Sequence, residues 1–248
     1  TGNFQELDLV KAFDSVAEFN HRVQQNSRHA ELMSLAIKHA ILKRDVSHLT
    51  FPDEIQVLQA KENEKPQTSE GRMTPMAIAP PQESFDKALS FLNDSKRPVI
   101  VVGHGARFHM DKVVTFAEKL NCPVMTTFKA KGQISDAHPL GCGVLGRSGT
   151  PIASWFMNEA DLLLVIGASF SKHTGITPKK ITIQIDFDPL TLSKFHSVDA
   201  PVWGEISVTV DMLNNQITSL ENKIDQKSEV TKRWDLWKKE KQKRLLED

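Results

Sequence analysis

The sequence is poor in cysteine and has no excess of charge of either sign. Cys122 and Cys142 are the only cysteines among 248 residues, and neither has the CxxC or Cys/His spacing of a metal site. This scarcity argues against a disulfide framework and a structural zinc, and it indicates a reducing compartment. Basic and acidic residues both number 31, so the composition favours neither a nucleic-acid partner nor an acidic membrane surface.

Long apolar runs and self-sufficient catalytic motifs are also missing. No run approaches membrane-spanning length and no signal peptide opens the chain, so we predict no integral membrane segment. The sequence has no GxxxxGK[ST] phosphate loop, GxSxG elbow or HExxH zinc motif. We therefore expect a stretch that binds a ligand and is not catalytic alone. Its start without Met and its end on a charged run suggest a piece of a longer polypeptide.

The first part of the chain is patterned differently from the rest. Residues 8–42 carry helical patterning, and Val46–Phe51 is a predicted strand. Residues 1–60 are therefore predicted to be a helix–strand remnant of a second α/β domain. Residues 61–82 are rich in proline and polar residues without a period, which is typical of an interdomain linker. A long surface loop within one domain is the alternative, but such loops are uncommon.

Residues 83–222 alternate helices with continuous apolar strands, which is typical of a doubly wound parallel α/β sheet covered on both faces. The predicted helices cover 83–93, 111–120, 150–158 and a last segment ending near Leu220. The predicted strands are Val99–Val102, Pro123–Thr127, Leu162–Ile166, Ile181–Ile185 and Pro201–Trp203.

Residues 223–248 form a predicted charged helix. Mixed charge runs usually mark solvated faces, so we assign this helix no chemistry. Trp234 and Trp237 interrupt the charged run, and we expect them to pack on a neighbouring domain.

Special residues follow the predicted strands, where ligands bind in open parallel sheets. Glycines follow the first and third strands, Thr126–Gly132 follows the second, and an acidic pair follows the fourth. Each feature alone has a simpler explanation, such as a tight turn, a surface charge or a helix cap. Together they predict a site for a dinucleotide or a similar extended nucleotide. His104 lies there without an acid–base partner in sequence, which favours a positioning role or none.

The order of these motifs resembles a known family. "RPVIVVGHGAR", "PVMTTFKAKG", "HPLGCG", "ADLLLVIGASF" and "ITIQIDFDP" are similar to the central domain of thiamine-diphosphate-dependent enzymes of the pyruvate oxidase and acetolactate synthase group. "TGNFQELDLVKAF" and "VSHLTFPDEIQ" resemble the last third of that family's pyrimidine-binding domain. The resemblance implies a central domain of the DHS-like NAD/FAD-binding type.

In several members of the family the central domain binds FAD. By position, the resemblance places the cofactor against Gly103, Gly105, Ala106, Arg107, Thr127, Phe128, Lys129, Gly143, Val144, Leu145, Gly146, Gly167, Ala168, Ser169, Phe170, Asp186, Asp188 and Glu205. Glu205 departs from the family, which usually has Gly-Asp where this chain has Gly204-Glu205.

The resemblance also implies thiamine diphosphate and Mg²⁺ in the full-length enzyme. Phe4, Gln5 and Glu6 match a segment on the thiamine and substrate side. The family's catalytic glutamate and its GDG…NN motif match nothing in this sequence. We therefore expect neither thiamine diphosphate nor Mg²⁺ to bind this chain alone, we expect the chain alone to be inactive, and we predict no metal ligands within it.

Three functions are implied by the resemblance. The first is oxidation of pyruvate, a 2-keto acid, by an FAD-dependent pyruvate oxidase or quinone-linked dehydrogenase, which "GVLGRSGT" and "GASFSKHTGI" favour. The second is an acetolactate synthase-type carboligase with structural FAD or none, and the third a non-catalytic scaffold with an empty nucleotide fold. An NAD-dependent deacylase, which has a similar fold, is not supported because this sequence has no set of zinc-binding cysteines. The family implies a homodimer or homotetramer in the cytoplasm, with peripheral membrane association if quinone is the acceptor.

Overall fold

The computed structural model describes residues 6–59, 70–169, 171–175, 179–218 and 220–247. The chain divides into two compact units, residues 1–75 and 76–248. The division falls inside the segment that the sequence analysis assigns to a linker. That the first unit belongs to a pyrimidine-binding domain stays a prediction.

The first unit is a small α/β element with a two-stranded parallel sheet. In chain order it contains α1 (Leu9–Phe13), β1 (Phe19–Arg22), α2 (His29–Lys43), β2 (Ser47–Thr50) and α3 (Asp53–Gln56). The prediction of helical patterning throughout 8–42 is therefore wrong at β1. Pairing of Phe19 with Ser47 and of Arg22 with Thr50 makes this segment a strand, and its sequence FNHR, with one apolar residue in four, does not show that preference locally.

The second unit is the predicted doubly wound α/β domain. It contains α4 (Gln82–Asp94), β3 (Pro98–Val102), α5 (Met110–Lys119), β4 (Val124–Thr126), β5 (Gly141–Val144), α6 (Pro151–Glu159), β6 (Leu162–Ile166), β7 (Ile181–Asp186), β8 (Ala200–Trp203), α7 (Ile206–Gln216) and α8 (Lys227–Glu247). The strand order is β5-β4-β3-β6-β7-β8, and every pairing is parallel.

The sheet separates two apolar layers. Ile100 and Val102 of β3 belong to one buried cluster, whereas Val99 and Val101 belong to the other. This is the period of two that a strand covered on both faces must show. The sheet is therefore the core of the unit, and its loops are left at the edges to form a site.

Strand β5, which begins at Gly141 and includes Gly143, was not predicted from the sequence. Two glycines in four residues hide the apolar run that marks the other strands. An added Cβ at Gly141 would lie 2.3 Å from the Ser135 carbonyl oxygen, so close backbone approach requires this glycine.

The charged helix α8 packs on its own unit. Val230 is buried, and Trp234 and Trp237 pack against the apolar layer that contains Phe156. Trp234 Nε1 also donates a hydrogen bond to the Gly141 carbonyl oxygen at 2.7 Å. The expectation that the two tryptophans pack on a neighbouring domain is therefore wrong, because both indoles pack on the apolar layer of their own unit. None of the helices in the described ranges is long and apolar enough to cross a bilayer.

Candidate functional site

The candidate site lies where the winding of the sheet reverses. The chain runs from β3 to β4 to β5 in one direction and then returns to place β6 on the other side of β3. The loops that leave β3 and β6 therefore diverge at the carboxyl edge of the sheet. Such a divergence leaves a crevice, which is where ligands bind in folds of this kind.

A cavity of about 420 Å³ occupies this crevice, and we call it the switch-point cavity. Four loops, following β3, β4, β6 and β7, contribute to it. Its lining residues are Gly103, His104, Gly105, Arg107, Thr127, Phe128, Lys129, Gly167, Ala168, Ser169, Ser171, His173, Thr174, Asp186 and Thr191. The volume is in the range of small-molecule sites in proteins.

Three glycines hold the β3 and β6 loops against each other. A Cβ added at Gly103 would lie 2.1 Å from the Gly167 oxygen, and a Cβ added at Gly167 would lie 2.5 Å from the Ala106 nitrogen. The Gly103 amide donates to the Ile166 oxygen at 2.8 Å, and the Gly105 amide donates to the Gly167 oxygen at 2.9 Å. These two amides are therefore occupied within the protein. The glycines serve the approach of one loop to the other.

Positive charge comes from the β3 and β4 loops. Arg107 is fixed from two sides, because its Nη1 donates to the His104 carbonyl oxygen at 3.1 Å and its guanidinium lies 4.3 Å from the centre of the Phe108 ring. Lys129 on the β4 loop is exposed. The pKa of His104 is lowered by burial and then by the charges of Arg107 and Lys129. His104 is therefore neutral at physiological pH, and it adds no charge to this wall.

Negative charge comes from the end of β7. Asp186 lines the cavity, and its Oδ1 accepts the Asp188 amide at 2.9 Å. Asp188 itself caps the following turn, since Oδ1 accepts the Leu190 amide at 2.9 Å and Oδ2 accepts the Thr191 hydroxyl at 3.0 Å. The structure thus gives the two aspartates different places, with Asp186 at the cavity and Asp188 in the turn beside it.

Glu205 lies at the start of α7, outside the residues that line the cavity. Its carboxylate accepts the Val208 amide at 2.9 Å and the Ser207 hydroxyl at 2.6 Å, and it pairs with His109 Nε2 at 3.0 Å. Burial acts to raise the pKa of Glu205, but hydrogen bonds from Ser207 and Val208 and the nearby His109 outweigh it and lower the pKa. This carboxylate is a helix cap tied to the start of α5.

The other predicted site residues divide into three groups. Ala106, Gly143, Val144, Leu145 and Gly146 are not among the lining residues, although Gly146 lies behind the Phe128 ring. Glu6 is exposed in the first unit. Phe4, Gln5 and Phe170 lie outside the described residues.

Four lining residues were missed by the sequence analysis: Ser171, His173, Thr174 and Thr191. They lie five residues or more beyond the ends of their strands, at Ile166 and Asp186. The polar run Ser171–Thr174 after "GASF" was the available signal, but only the folded loop shows that it turns back toward the crevice.

The donor set of the switch-point cavity fits an adenine dinucleotide. Cations at Arg107 and Lys129 suit a diphosphate, a carboxylate at Asp186 suits ribose hydroxyls, and the half-exposed Phe128 ring offers a stacking surface. Within the described residues, no three His, Cys, Asp or Glu side chains come together as a metal site.

Comparisons with known proteins agree on one family. Residues 85–213 match the family described as "Thiamine pyrophosphate enzyme, central domain". A protein assigned as an acetolactate synthase large subunit in Methanococcus aeolicus is 31% identical over 232 residues, which cover 89% of this chain and 38% of that protein. Pyruvate oxidase from Lactiplantibacillus plantarum is 23% identical over 222 residues, which cover 88% of this chain and 37% of that protein.

A solved structure has the same fold. A Mycobacterium smegmatis protein assigned as a thiamin diphosphate-dependent enzyme superposes with a TM-score of 0.68 at 19% identity. The superposition covers 86% of this chain and 41% of that chain. The chain therefore spans about two fifths of the length of the proteins that it matches.

Proposed function

Because this chain belongs to the thiamine pyrophosphate enzyme family through its central domain, we propose that its second unit binds FAD in the switch-point cavity. The observation that carries this proposal is the placement of opposite charges around one crevice. Arg107 and Lys129 stand on the β3 and β4 loops, and Asp186 stands at the end of β7. A dinucleotide needs both kinds of group, a cationic one for its diphosphate and an acidic one for its ribose.

The chain's own residues divide the work of binding. Arg107 and Lys129 would hold the diphosphate, and Asp186 would accept hydrogen bonds from a ribose. Phe128 would cover an aromatic ring of the cofactor. The Gly103 and Gly105 amides already donate within the protein, so the diphosphate is assigned to side chains rather than to these amides. When bound, FAD supplies the two-electron acceptor that oxidation of a 2-keto acid requires.

For the whole protein we propose oxidation of pyruvate as the first candidate reaction. The motifs "GVLGRSGT" and "GASFSKHTGI" support it, since both resemble the pyruvate oxidase branch. The second motif contributes Ala168, Ser169, Ser171 and His173 to the cavity. Thiamine diphosphate and Mg²⁺ would be held by regions that correspond to the parts of the related enzymes outside the alignment with this chain.

Acetolactate formation is the second candidate. It is favoured by sequence identity, which is 31% to the acetolactate synthase relative and 23% to the pyruvate oxidase relative. Both reactions begin with decarboxylation of a 2-keto acid, and they differ in the fate of the remaining two-carbon unit. A carboligase joins this unit to a second 2-keto acid, whereas an oxidase passes electrons from it to an acceptor.

Two measurements test these proposals. The intact chain is titrated with FAD, and quenching of flavin fluorescence together with a shifted visible spectrum is expected. A chain that leaves the flavin spectrum unchanged at high concentration would support the empty-scaffold alternative. The full-length protein is then supplied with pyruvate, thiamine diphosphate and Mg²⁺. Acceptor-dependent pyruvate consumption without acetolactate supports the oxidase, and acetolactate without an acceptor supports the carboligase.

A further inference from the structure

Gln184 is a polar side chain in the middle of the apolar sheet. It lies in β7 and is 1% exposed. Its neighbours Ile183 and Ile185 both belong to the apolar layer on one face, so the alternation of a strand places Gln184 on the other face. A buried amide is unfavourable unless its hydrogen-bonding groups are satisfied. A glutamine at this position therefore needs hydrogen-bond partners inside the protein.

The amide of Gln184 makes three hydrogen bonds. Nε2 donates to the Ala168 carbonyl oxygen at 2.9 Å and to the Thr191 carbonyl oxygen at 3.2 Å. Oε1 accepts the Ser193 amide at 2.7 Å. Both donor hydrogens and the acceptor oxygen are thus engaged, and all three partners are backbone groups.

The three partners belong to two different loops of the switch-point cavity. Ala168 is in the loop after β6, and Thr191 and Ser193 are in the loop after β7. Ala168 and Thr191 themselves line the cavity. Ser193 has a φ of 55°, a left-handed conformation that a serine adopts at a cost, and its amide is held by Gln184. One side chain therefore ties two cavity walls to the rigid centre of the sheet.

We propose that Gln184 is a positioning residue of the nucleotide site. It touches no ligand and acts through Ala168 and Thr191, whose carbonyl oxygens it holds at fixed places relative to β7. This inference rests on the proposed function, because the ligand whose affinity it sets is the adenine dinucleotide proposed above. A preformed pair of loops binds without ordering cost, so loss of the brace is expected to weaken binding.

The test uses one substitution at two matched positions. Gln184→Met keeps the length of the side chain and removes all three hydrogen bonds. Gln226→Met is the control, because Gln226 is 2% exposed and its Nε2 donates to the Pro98 carbonyl oxygen at 3.0 Å. Pro98 begins β3, at the sheet edge opposite the cavity. Both variants lose a buried amide, but only one of them loses contacts to the cavity loops.

The first measurement is hydrogen–deuterium exchange of the two variants and the original chain without any ligand. Gln184→Met is expected to exchange faster in peptides that cover Ala168 and Thr191–Ser193, whereas Gln226→Met leaves those peptides unchanged. Equal exchange of these peptides in the two variants would overturn the brace. This arm does not depend on which ligand binds.

The second measurement is titration with FAD. Gln184→Met is expected to raise the dissociation constant about tenfold, which corresponds to about 1.4 kcal/mol, and to change the visible circular dichroism of the bound flavin. Gln226→Met is expected to change the dissociation constant by less than about twofold and to leave the visible circular dichroism unchanged. This holds even if its melting temperature falls as much as that of Gln184→Met. Equal weakening in both variants would reduce Gln184 to a general structural role and overturn the proposal. If the original chain binds no FAD, the proposed function fails, while the exchange measurement still decides whether Gln184 braces the loops.

Discussion

Gly167 shows how one residue can fix the spacing of a site. Its φ is 64°, and an added Cβ would lie 2.5 Å from the Ala106 nitrogen. Gly175 on the same loop has a φ of 70°, but an added Cβ there meets nothing within 4 Å. The two positions share the backbone requirement for glycine and differ in the space around it.

We therefore expect Gly167→Ala to be far more harmful than Gly175→Ala. Gly175→Ala, the control, should lose about 1 kcal/mol of unfolding free energy, because only the strain of a left-handed alanine acts there. Gly167→Ala adds a backbone overlap and should lose at least about 3 kcal/mol. Urea unfolding of both variants measures the difference. Similar losses in the two would mean that the β3 and β6 loops can separate without cost.

Glu205 predicts a pH dependence of stability. Its pKa lies below the ordinary value of 4.5 in the folded chain. The folded state therefore holds the carboxylate charged more strongly than the unfolded state does. This contribution to stability is complete above pH 4.5, and it is lost as the pH falls through the lowered folded-state pKa.

Glu205→Gln is expected to cost about 1 kcal/mol at pH 7, because a charged helix cap is replaced by a neutral one. The difference from the original chain should shrink as the pH falls below 4.5. Glu118→Gln is the matched control, since Glu118 also pairs with a histidine, His138, at 3.2 Å but is 54% exposed. An exposed pair contributes little, so this variant should stay within about 0.5 kcal/mol. Urea unfolding between pH 3 and pH 7 measures the stability of both variants. A loss of stability in Glu205→Gln that stays constant over this pH range would contradict the role of Glu205 as a charged helix cap.

At this scale the sequence predicted much of the candidate site but not the roles of its residues. Gly103, Arg107, Lys129 and Asp186 were placed at strand ends, and all four line the cavity. Their hydrogen bonds could not be predicted, because the pairing of Gly103 with Ile166 joins residues far apart in sequence. Gln184 was missed for a related reason, since nothing local distinguishes a bracing glutamine from an exposed one.

Among the elements, α8 is attached more firmly than its charge suggests. Trp234 donates a hydrogen bond to the Gly141 oxygen of β5, and the Arg233 guanidinium lies 3.8 Å from the centre of the Trp155 ring. Trp237 packs on the same layer, and its ring has Lys241 and Arg244 beside it at 5.7 Å. The two tryptophans therefore share a surface and differ in one hydrogen bond to the sheet.

Trp234→Phe is expected to destabilise the chain more than Trp237→Phe. It leaves the Gly141 oxygen without its indole partner, which costs about 1–2 kcal/mol beyond the lost packing. In a chain of this size that corresponds to a further decrease of about 4 °C in melting temperature. Thermal unfolding followed by circular dichroism compares the two variants. Equal melting temperatures would show that the hydrogen bond from Trp234 to Gly141 does not contribute to holding α8 on the sheet.

Elements with strong periodic patterns were predicted well, and weakly patterned ones were not. Strand Leu162–Ile166 was predicted with its observed bounds, because five apolar residues in a row have no competing pattern. β1 (FNHR) has one apolar residue in four and β5 (GCGV) has two glycines, so neither contains an apolar run, and both become strands by pairing with β2 and β4. β4 is only three residues long but mostly apolar, and it was predicted, so composition rather than length hid β1 and β5.

Across the whole molecule, burial is distributed unequally between the two units. Among the described residues of the first unit, Val23 and Ala36 are the only buried hydrophobic side chains. In the second unit every residue of β3 and β6 is buried, and Val99–Val102 and Leu162–Ile166 divide between the two apolar layers. Large exposed side chains in the first unit include Leu35, Ile37 and Ile41 of α2. The doubly wound sheet could be predicted because its strands are apolar throughout, whereas the first unit offers few such signals.

Unequal burial predicts unequal protection in the intact chain. Amides of β3 and β6 should exchange with deuterium only through global unfolding, because their layers hold most of the buried apolar surface. Amides of β1, β2 and α2 should exchange at least about a hundredfold faster, since opening them exposes little additional apolar surface. Low concentrations of urea should leave the exchange of the first unit almost unchanged and reduce the protection of the second, because only global opening exposes a large surface. If β1 and β3 exchange at the same rate and respond equally to urea, the two units unfold as one, and the separation inferred from their cores is wrong.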